Sequence, residues 1–102
     1  MISEISVQQL RERQANGEQP HLLDVREPDE RQEFNIGGTH IPLGNVMAMQ
    51  TDDIEDWKDD EVIVYCRAGR RSMQAAMMLE TMGFRNVKNL TGGVLAWQEA
   101  GQ

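Results

Sequence analysis

The residues of this chain whose types and spacing could do chemistry together are one cysteine and the three arginines that follow it. Cys66 is the only cysteine in the sequence, and Arg67, Arg70 and Arg71 lie within five residues of it. Neighbouring cations favour the thiolate form of a cysteine, which is its nucleophilic form. The same cations would attract a small anion. The cluster therefore predicts a reactive thiol inside an anion-binding loop.

The segments on either side of this cluster would hold the thiol in place. Residues 62–65 are apolar and mostly β-branched or aromatic, which is typical of a short buried strand. Ser72 is a favourable N-cap, and the apolar residues beyond it recur at the spacing of a helix face. We therefore predict a strand, a tight loop and a helix beginning at Ser72. This order puts Cys66 at the carboxyl end of a strand and at the amino end of a helix, where anions and other ligands commonly bind.

A simpler interpretation of the same residues stays open at this point. A lone cysteine at the end of a strand is usually an inert apolar residue, and several nearby arginines are often only a solvated loop. The reactive interpretation is favoured because both features occur together at a strand-to-helix turn.

Length and composition exclude several classes of protein. A chain of 102 residues, 39% of them hydrophobic and 26% charged, predicts one globular domain over residues 1–102. A net charge of -7 argues against nucleic acid and anionic membranes as partners. Without a signal-peptide pattern, a membrane-length apolar stretch or a second cysteine, we expect a cytoplasmic protein. His21, His40 and Cys66 match no zinc spacing, so we expect neither a metal nor another cofactor.

Short apolar runs alternate with helical patterns along the chain. The predicted strands are residues 2–5, 21–25, 39–42, 62–65 and 87–90. Helices are predicted after Ser6, from Pro28 to about Phe34, from Ser72 to Gly83, and from Gly92 onwards. This alternation predicts an α/β fold with three layers, an open parallel sheet of about five strands with helices on both faces.

Two helical segments carry further expectations. Residues 44–61 predict two short helical turns, at 45–50 and 51–60, and the second is anchored by Ile54 and Trp57. Four methionines fall in the helix after the loop, at Met73, Met77, Met78 and Met82. Methionine at helical spacing is usually core packing, so we expect these side chains to be buried.

Four segments of the chain together resemble the signatures of the rhodanese family of sulfurtransferases, in its small single-domain form. Residues 23–28 are similar to the first signature, and residues 36–42 resemble a shuffled version of the second. Residues 66–72 resemble the active-site loop, and residues 90–97 resemble the carboxy-terminal signature. The resemblance covers nearly the whole chain.

The resemblance implies a mechanism. The Cys66 thiolate would take the outer sulfur of thiosulfate, release sulfite and become a persulfide, which cyanide or a thiol would then discharge. The backbone N–H groups of the loop would hold the negative charge, as in an oxyanion hole. Arg67 and Arg71 would influence the choice of substrate. The predicted substrate-binding residues are Arg67, Ala68, Gly69, Arg70, Arg71 and Ser72.

The other residues matched by the resemblance suggest structural roles. Asp24 and Arg26 either line the rim of the site or pair with each other to fix its surroundings, and we favour the pairing. Gly92 and Gly93 predict a turn with positive φ or a close approach of two backbones. Trp97 is expected in the core, and His40 is given no catalytic part.

Three alternative functions remain at this stage. The same site would serve a persulfide carrier that accepts sulfur from a partner desulfurase. A non-catalytic binding module is a second alternative, and a phosphatase or arsenate reductase of the same fold is a third. Cysteine-dependent phosphatases place an arginine six residues after the cysteine to clamp the phosphate, whereas Ser72 occupies that position here. The sequence specifies neither the natural donor and acceptor nor the oligomeric state.

Overall fold

Strands and helices alternate in the computed structural model, which describes residues 2–101. The strands are β1 (Ser3–Ile5), β2 (His21–Asp24), β3 (Thr39–His40), β4 (Glu61–Tyr65) and β5 (Asn86–Leu90). The α-helices are α1 (Val7–Ala15), α2 (Pro28–Glu33), α3 (Leu43–Met47), α4 (Arg70–Thr81) and α5 (Gly93–Ala100), and a 3-10 helix covers Asp52–Trp57. Within this described part, no helix has the length and apolar character needed to cross a membrane.

The five strands form one parallel sheet in the order β1-β5-β4-β2-β3. Strand β4 lies at its centre, paired with β2 on one side and β5 on the other. Because the strands are parallel, their carboxyl ends meet at one edge of the sheet. Cys66, the residue after β4, therefore lies at the middle of that edge, beside the ends of β2 and β5.

Both faces of the sheet are covered, which confirms the predicted three layers. Val62 and Val64 of β4 pack against α3, the 3-10 helix and α4, while Ile63 and Tyr65 pack against α1 and α5. All four side chains are 0% exposed. A strand buried on both faces carries a continuous apolar run, and this is the pattern that predicted β4.

The local signals at two helix starts are confirmed. The Ser6 hydroxyl accepts the N–H of Gln9, and the Gln9 side chain accepts the N–H of Ser6, which forms the predicted capping box. Helix α2 begins at Pro28, as predicted.

The prediction of Ser72 as the N-cap of the next helix is wrong. The N-cap of helix α4 is Gly69, three residues earlier, with φ at 104°, and the helix begins at Arg70. Glycine adopts this left-handed conformation without strain, so the chain turns into the helix directly after a very short loop. As a result, Arg70 and Arg71 belong to the first helical turn, and Ser72 is buried inside the helix with its hydroxyl used elsewhere.

Two further expectations need adjustment. Helix α3 begins at Leu43, ahead of the predicted residue 45, whereas Ile54 anchors the 3-10 helix as expected and is 0% exposed. Met77 is 57% exposed, so the prediction that the α4 methionines are core is wrong for this residue. The inward stripe of α4 is formed by small and branched side chains, and Met77 falls outside it.

Candidate active site

The loop after β4 is held by the amino end of α5. The N–H of Val94 donates to the carbonyl of Cys66 at 2.9 Å, and the N–H of Leu95 donates to the carbonyl of Arg67 at 3.0 Å. Gly93 makes this approach feasible, because a Cβ there would stand 2.3 Å from the carbonyl oxygen of Cys66. Its φ of 57° also favours glycine. Gly93 therefore shows both features predicted for a glycine in this turn, a positive φ and a close approach of two backbones.

The sulfur of Cys66 faces several hydrogen-bond donors. Backbone N–H groups of Gly69 and Ser72 donate to Sγ at 3.1 and 3.4 Å, and the Ser72 hydroxyl lies 3.4 Å from it. Burial raises the pKa of the Cys66 thiol, since only 1% of the residue is exposed. Hydrogen bonds from Ser72, Gly69 and Ala68 lower the pKa by more, so it lies below its ordinary value. The loop thus favours a thiolate at the carboxyl edge of the sheet.

A buried polar chain supports the loop from behind. The Ser72 hydroxyl donates to Oδ1 of Asn89 on β5, and Nδ2 of Asn89 donates to the carbonyl of Gly69 and to a carboxylate oxygen of Glu4. The same hydroxyl lies 3.4 Å from Cys66 Sγ, where either atom can be the donor. Asn89 was not identified from the sequence. No local signal distinguished it, because β5 also contains Asn86 and Lys88, yet Asn89 is only 3% exposed.

The three arginines of the loop have different surroundings. Arg67 and Arg70 are exposed, and within residues 2–101 neither makes an ion pair or a side-chain hydrogen bond. Arg71 instead donates from both terminal nitrogens to the carboxylate of Glu30 on α2, at 2.6 and 2.8 Å. The hydrogen bonds from Arg71 lower the pKa of Glu30 to about 2. Glu30 was not identified from the sequence as a partner of Arg71, because its only local signal was its helix-capping distance from Glu27.

Asp24 and Arg26 pair with each other at the end of β2. Arg26 donates from Nε to Asp24 Oδ1 at 2.9 Å and from a terminal nitrogen to Oδ2 at 2.8 Å. Burial raises the pKa of the Asp24 carboxyl, but the hydrogen bonds from Arg26 outweigh it and leave that pKa below its ordinary value. His40 lies behind this pair, with Nε2 at 2.7 Å from the carbonyl oxygen of Arg26. The geometry therefore matches the favoured pairing.

A cleft of about 450 Å³ opens beside the loop, between α2 and α5. It is lined by Arg26, Glu30, Glu33, Phe34, Arg67, Val94, Leu95 and Gln98. Arg26 thus contributes to a rim as well as to the pair with Asp24. Trp97 is not part of this lining, and it packs against the core between the sheet, α1 and α5.

No group of three or more His, Cys, Asp or Glu side chains that could hold a metal ion occurs among residues 2–101. What the site offers is a sulfur nucleophile that accepts backbone N–H groups, with the exposed side chain of Arg67 lining the adjacent cleft. This arrangement can stabilise a negative charge on Cys66 Sγ, or on an atom bonded to it, and can attract an anion.

Comparison with known proteins gives consistent results. Residues 6–100 match the model of the rhodanese-like domain. A sulfurtransferase of Allochromatium vinosum is 35% identical over 102 residues, covering 99% of this chain and 92% of that protein. A putative mitochondrial thiosulfate sulfurtransferase of Schizosaccharomyces pombe is 39% identical over 89 residues. That alignment covers 76% of this chain and 63% of the relative, so the chain spans less than two thirds of that protein.

Among solved structures, the solution structure of a rhodanese-like domain from Anabaena superposes with a TM-score of 0.85 at 26% identity. The superposition covers 99% of this chain and 76% of that one.

Proposed function

Because this chain belongs to the rhodanese-like family, we propose that it is a sulfurtransferase in which Cys66 carries the sulfur as a persulfide. The names of its relatives support sulfur transfer as the activity. The observation that carries the proposal is the pair of backbone N–H groups, from Gly69 and Ser72, that donate to Cys66 Sγ at the end of β4. These donors are already in place for a charge on sulfur before any substrate arrives.

The proposed donor is thiosulfate. The Cys66 thiolate attacks its outer sulfur, a new S–S bond forms, and the bond between the two thiosulfate sulfurs breaks with its electron pair leaving on sulfite. The product is a Cys66 persulfide anion. Cyanide then attacks the outer sulfur, giving thiocyanate and restoring the thiolate, and a thiolate acceptor would take the sulfur in the same way. Neither step needs an oxidant or a cofactor.

The exposed arginines of the loop support an anionic donor. Arg67 and Arg70 are exposed at the loop, on a protein whose net charge is -7. An isolated cationic spot on an acidic protein suits a small anion better than a polyanion. In this proposal residues 1–102 act as one domain. The expectation of a cytoplasmic protein stays a prediction.

The phosphatase alternative has less support from the structure. Ser72 occupies the position of the phosphate-clamping arginine, and the nearest arginine, Arg71, is already bound to Glu30. A persulfide carrier would use the site proposed here and differs only in its donor. A non-catalytic binding module would not explain why several hydrogen-bond donors face Cys66 Sγ.

The test is to incubate the protein with thiosulfate and measure its intact mass. We expect the mass of one added sulfur atom, its loss on adding cyanide, and the appearance of thiocyanate. Cys66→Ser should keep the circular dichroism spectrum of the wild type and gain no sulfur. Failure of the wild type to gain sulfur, or thiocyanate production by folded Cys66→Ser, would overturn the proposal. Turnover of p-nitrophenyl phosphate comparable with sulfur transfer would favour the phosphatase instead.

A further inference from the structure

The ion pair between Arg71 and Glu30 is built into the fold more firmly than an ordinary surface pair. The two side chains are 33% and 25% exposed, and both guanidinium NH2 groups bind the carboxylate. Glu30 is also held from its own helix, because its carboxylate accepts the N–H of Glu27 at 3.0 Å. A bidentate pair with one partner already fixed loses less side-chain freedom than a single-contact pair does. Arg71 is therefore held against α2.

This pair lies next to the sulfur site. Arg71 directly precedes Ser72, whose N–H donates to Cys66 Sγ. The hydrogen bonds to Glu30 are the main cause that raises the pKa of Arg71, and the charge of Cys66 adds to it. Glu30 thus brings a negative charge next to the loop and offsets the charge of Arg71. Among the charged residues that line the adjacent cleft, Glu30 is paired with Arg71 and Arg26 with Asp24, and the others are Arg67 and Glu33.

We propose that Glu30 is a positioning residue that sets donor selectivity by holding Arg71, so that the site disfavours dianionic sulfur donors relative to donors with one negative charge or none. The inference rests on the proposed function and deepens it. The attraction between Arg71 and a bound anion is proportional to the charge of the anion. Neutralising Arg71 therefore removes twice as much attraction from a dianion such as thiosulfate as from a monoanion. Compared with a site in which Arg71 is free, organic thiosulfonates and persulfides are then used more readily relative to thiosulfate.

The experiment compares two donors at low ionic strength, thiosulfate and benzenethiosulfonate, which carry two charges and one. The variant is Glu30→Gln, and the matched control is Glu33→Gln, a change of the same type on the same helix and the same cleft. In Glu30→Gln we expect the KM for thiosulfate to fall about three- to tenfold with kcat little changed. The KM for benzenethiosulfonate should also fall, by about half the logarithmic change expected for thiosulfate. Both effects should shrink as salt is added.

A second background tests whether Glu30 acts through Arg71. In an Arg71→Met protein, Glu30→Gln should lower the KM for thiosulfate no more than Glu33→Gln does. A general change in surface charge would act equally in both backgrounds, whereas an effect through Arg71 disappears when Arg71 is removed. Glu30→Ala serves the same purpose should Glu30→Gln fold poorly.

Two outcomes would overturn the inference. One is a KM for thiosulfate that falls equally in the Glu30 and Glu33 variants, and the other is an equal fall for both donors. Failure of the proposed function is recognised separately, because the wild type would then gain no sulfur from either donor in the mass measurement. A wild type that forms the persulfide while Glu30→Gln leaves donor preference unchanged contradicts only the role of Glu30.

Discussion

At Cys66, burial and hydrogen bonding act on the thiol in opposite directions. Burial raises the pKa of the thiol, and the hydrogen bonds from Ser72, Gly69 and Ala68 lower it by more. The Ser72 hydroxyl makes the largest of these lowering contributions, followed by the backbone N–H groups of Ser72, Gly69 and Ala68, which the turn into α4 fixes. The chemistry of the site therefore depends on the path of the chain between Cys66 and Ser72.

The thiol should accordingly ionise at lower pH than free cysteine. We expect the thiolate ultraviolet absorbance of the native protein to titrate below the ordinary value of about 8.5. With one cysteine in the chain, the thiolate signal is the difference between the wild type and Cys66→Ser, which removes the absorbance of ionised Tyr65. In urea the midpoint should return to about 8.5, because unfolding removes the donors. A native midpoint at or above the urea value would show that burial raises the pKa of Cys66 by more than the hydrogen bonds lower it.

The lowered pKa of Cys66 also determines at which pH its ionisation stabilises the fold. A group whose pKa is lower in the folded state stabilises the fold above its unfolded pKa and loses that contribution as pH falls through its folded pKa. Ionisation of Cys66 therefore stabilises the fold at alkaline pH, and the contribution should be absent from Cys66→Ser.

At the scale of elements, the contact between α5 and the Cys66 loop depends on Gly93. In Gly93→Ala the new Cβ would stand 2.3 Å from the carbonyl oxygen of Cys66 and 2.7 Å from that of Arg67. Backbone atoms cannot rotate away as a side chain can, so the loop or the helix must shift. We expect a loss of about 2 kcal/mol or more in the free energy of unfolding, together with reduced persulfide formation.

Urea unfolding and the mass measurement check this prediction. The control is Gly44→Ala in α3, where nothing lies within 4 Å of the new Cβ. That variant should be unchanged or more stable by about 0.5–1 kcal/mol, as alanine usually is in a helix. Equal stability of Gly93→Ala and the wild type would contradict the prediction.

Glu61, at the start of β4, joins three elements at the opposite end of the sheet. Its carboxylate accepts hydrogen bonds from Arg13 of α1 and Lys88 of β5. The hydrogen bonds from Arg13 lower the pKa of Glu61 from 4.5 to about 2. A lowered carboxyl pKa stabilises the fold above the unfolded pKa, and this contribution disappears as the pH falls from about 4.5 to about 2.

Glu61→Gln should therefore lose about 1–3 kcal/mol of stability at pH 7, and the difference from the wild type should vanish near pH 2. Urea unfolding across that range measures it. Glu55→Gln is the matched control, because Glu55 pairs with Lys58 on the surface with both side chains more than a third exposed. A loss in Glu61→Gln that persists unchanged at low pH would point to packing rather than charge.

At the scale of the whole molecule, one cysteine in a chain of 102 residues limits how the sulfur can leave. No second thiol of the same chain can displace it as an internal disulfide. Cys66 is also 1% exposed, which hinders attack by the thiol of a second molecule. Release should therefore depend on a small external nucleophile.

We expect the persulfide to persist when thiosulfate is given alone and to disappear on adding cyanide or a small thiol. Intact mass followed over time measures both. A disulfide-linked dimer as the main product would contradict this prediction, since it requires two buried thiols to meet.

Local patterns in the sequence predicted the features that neighbouring residues decide. The apolar run of β4, Pro28 at the start of α2 and the capping box at Ser6 all have causes within a few residues. The placement of Cys66 at the carboxyl end of a strand followed from the same short-range order.

Only the tertiary structure decided which residues meet across the chain. Asn89 reaches Ser72 from 17 residues away, and Glu30 reaches Arg71 from 41 residues away. The start of α4 was mispredicted for the same reason, because the Ser72 hydroxyl binds Asn89 and Gly69 takes the N-cap position instead. Such partners depend on the strand order β1-β5-β4-β2-β3 and on which helix crosses each face. No local pattern carries that information, since these contacts form only when distant elements pack together.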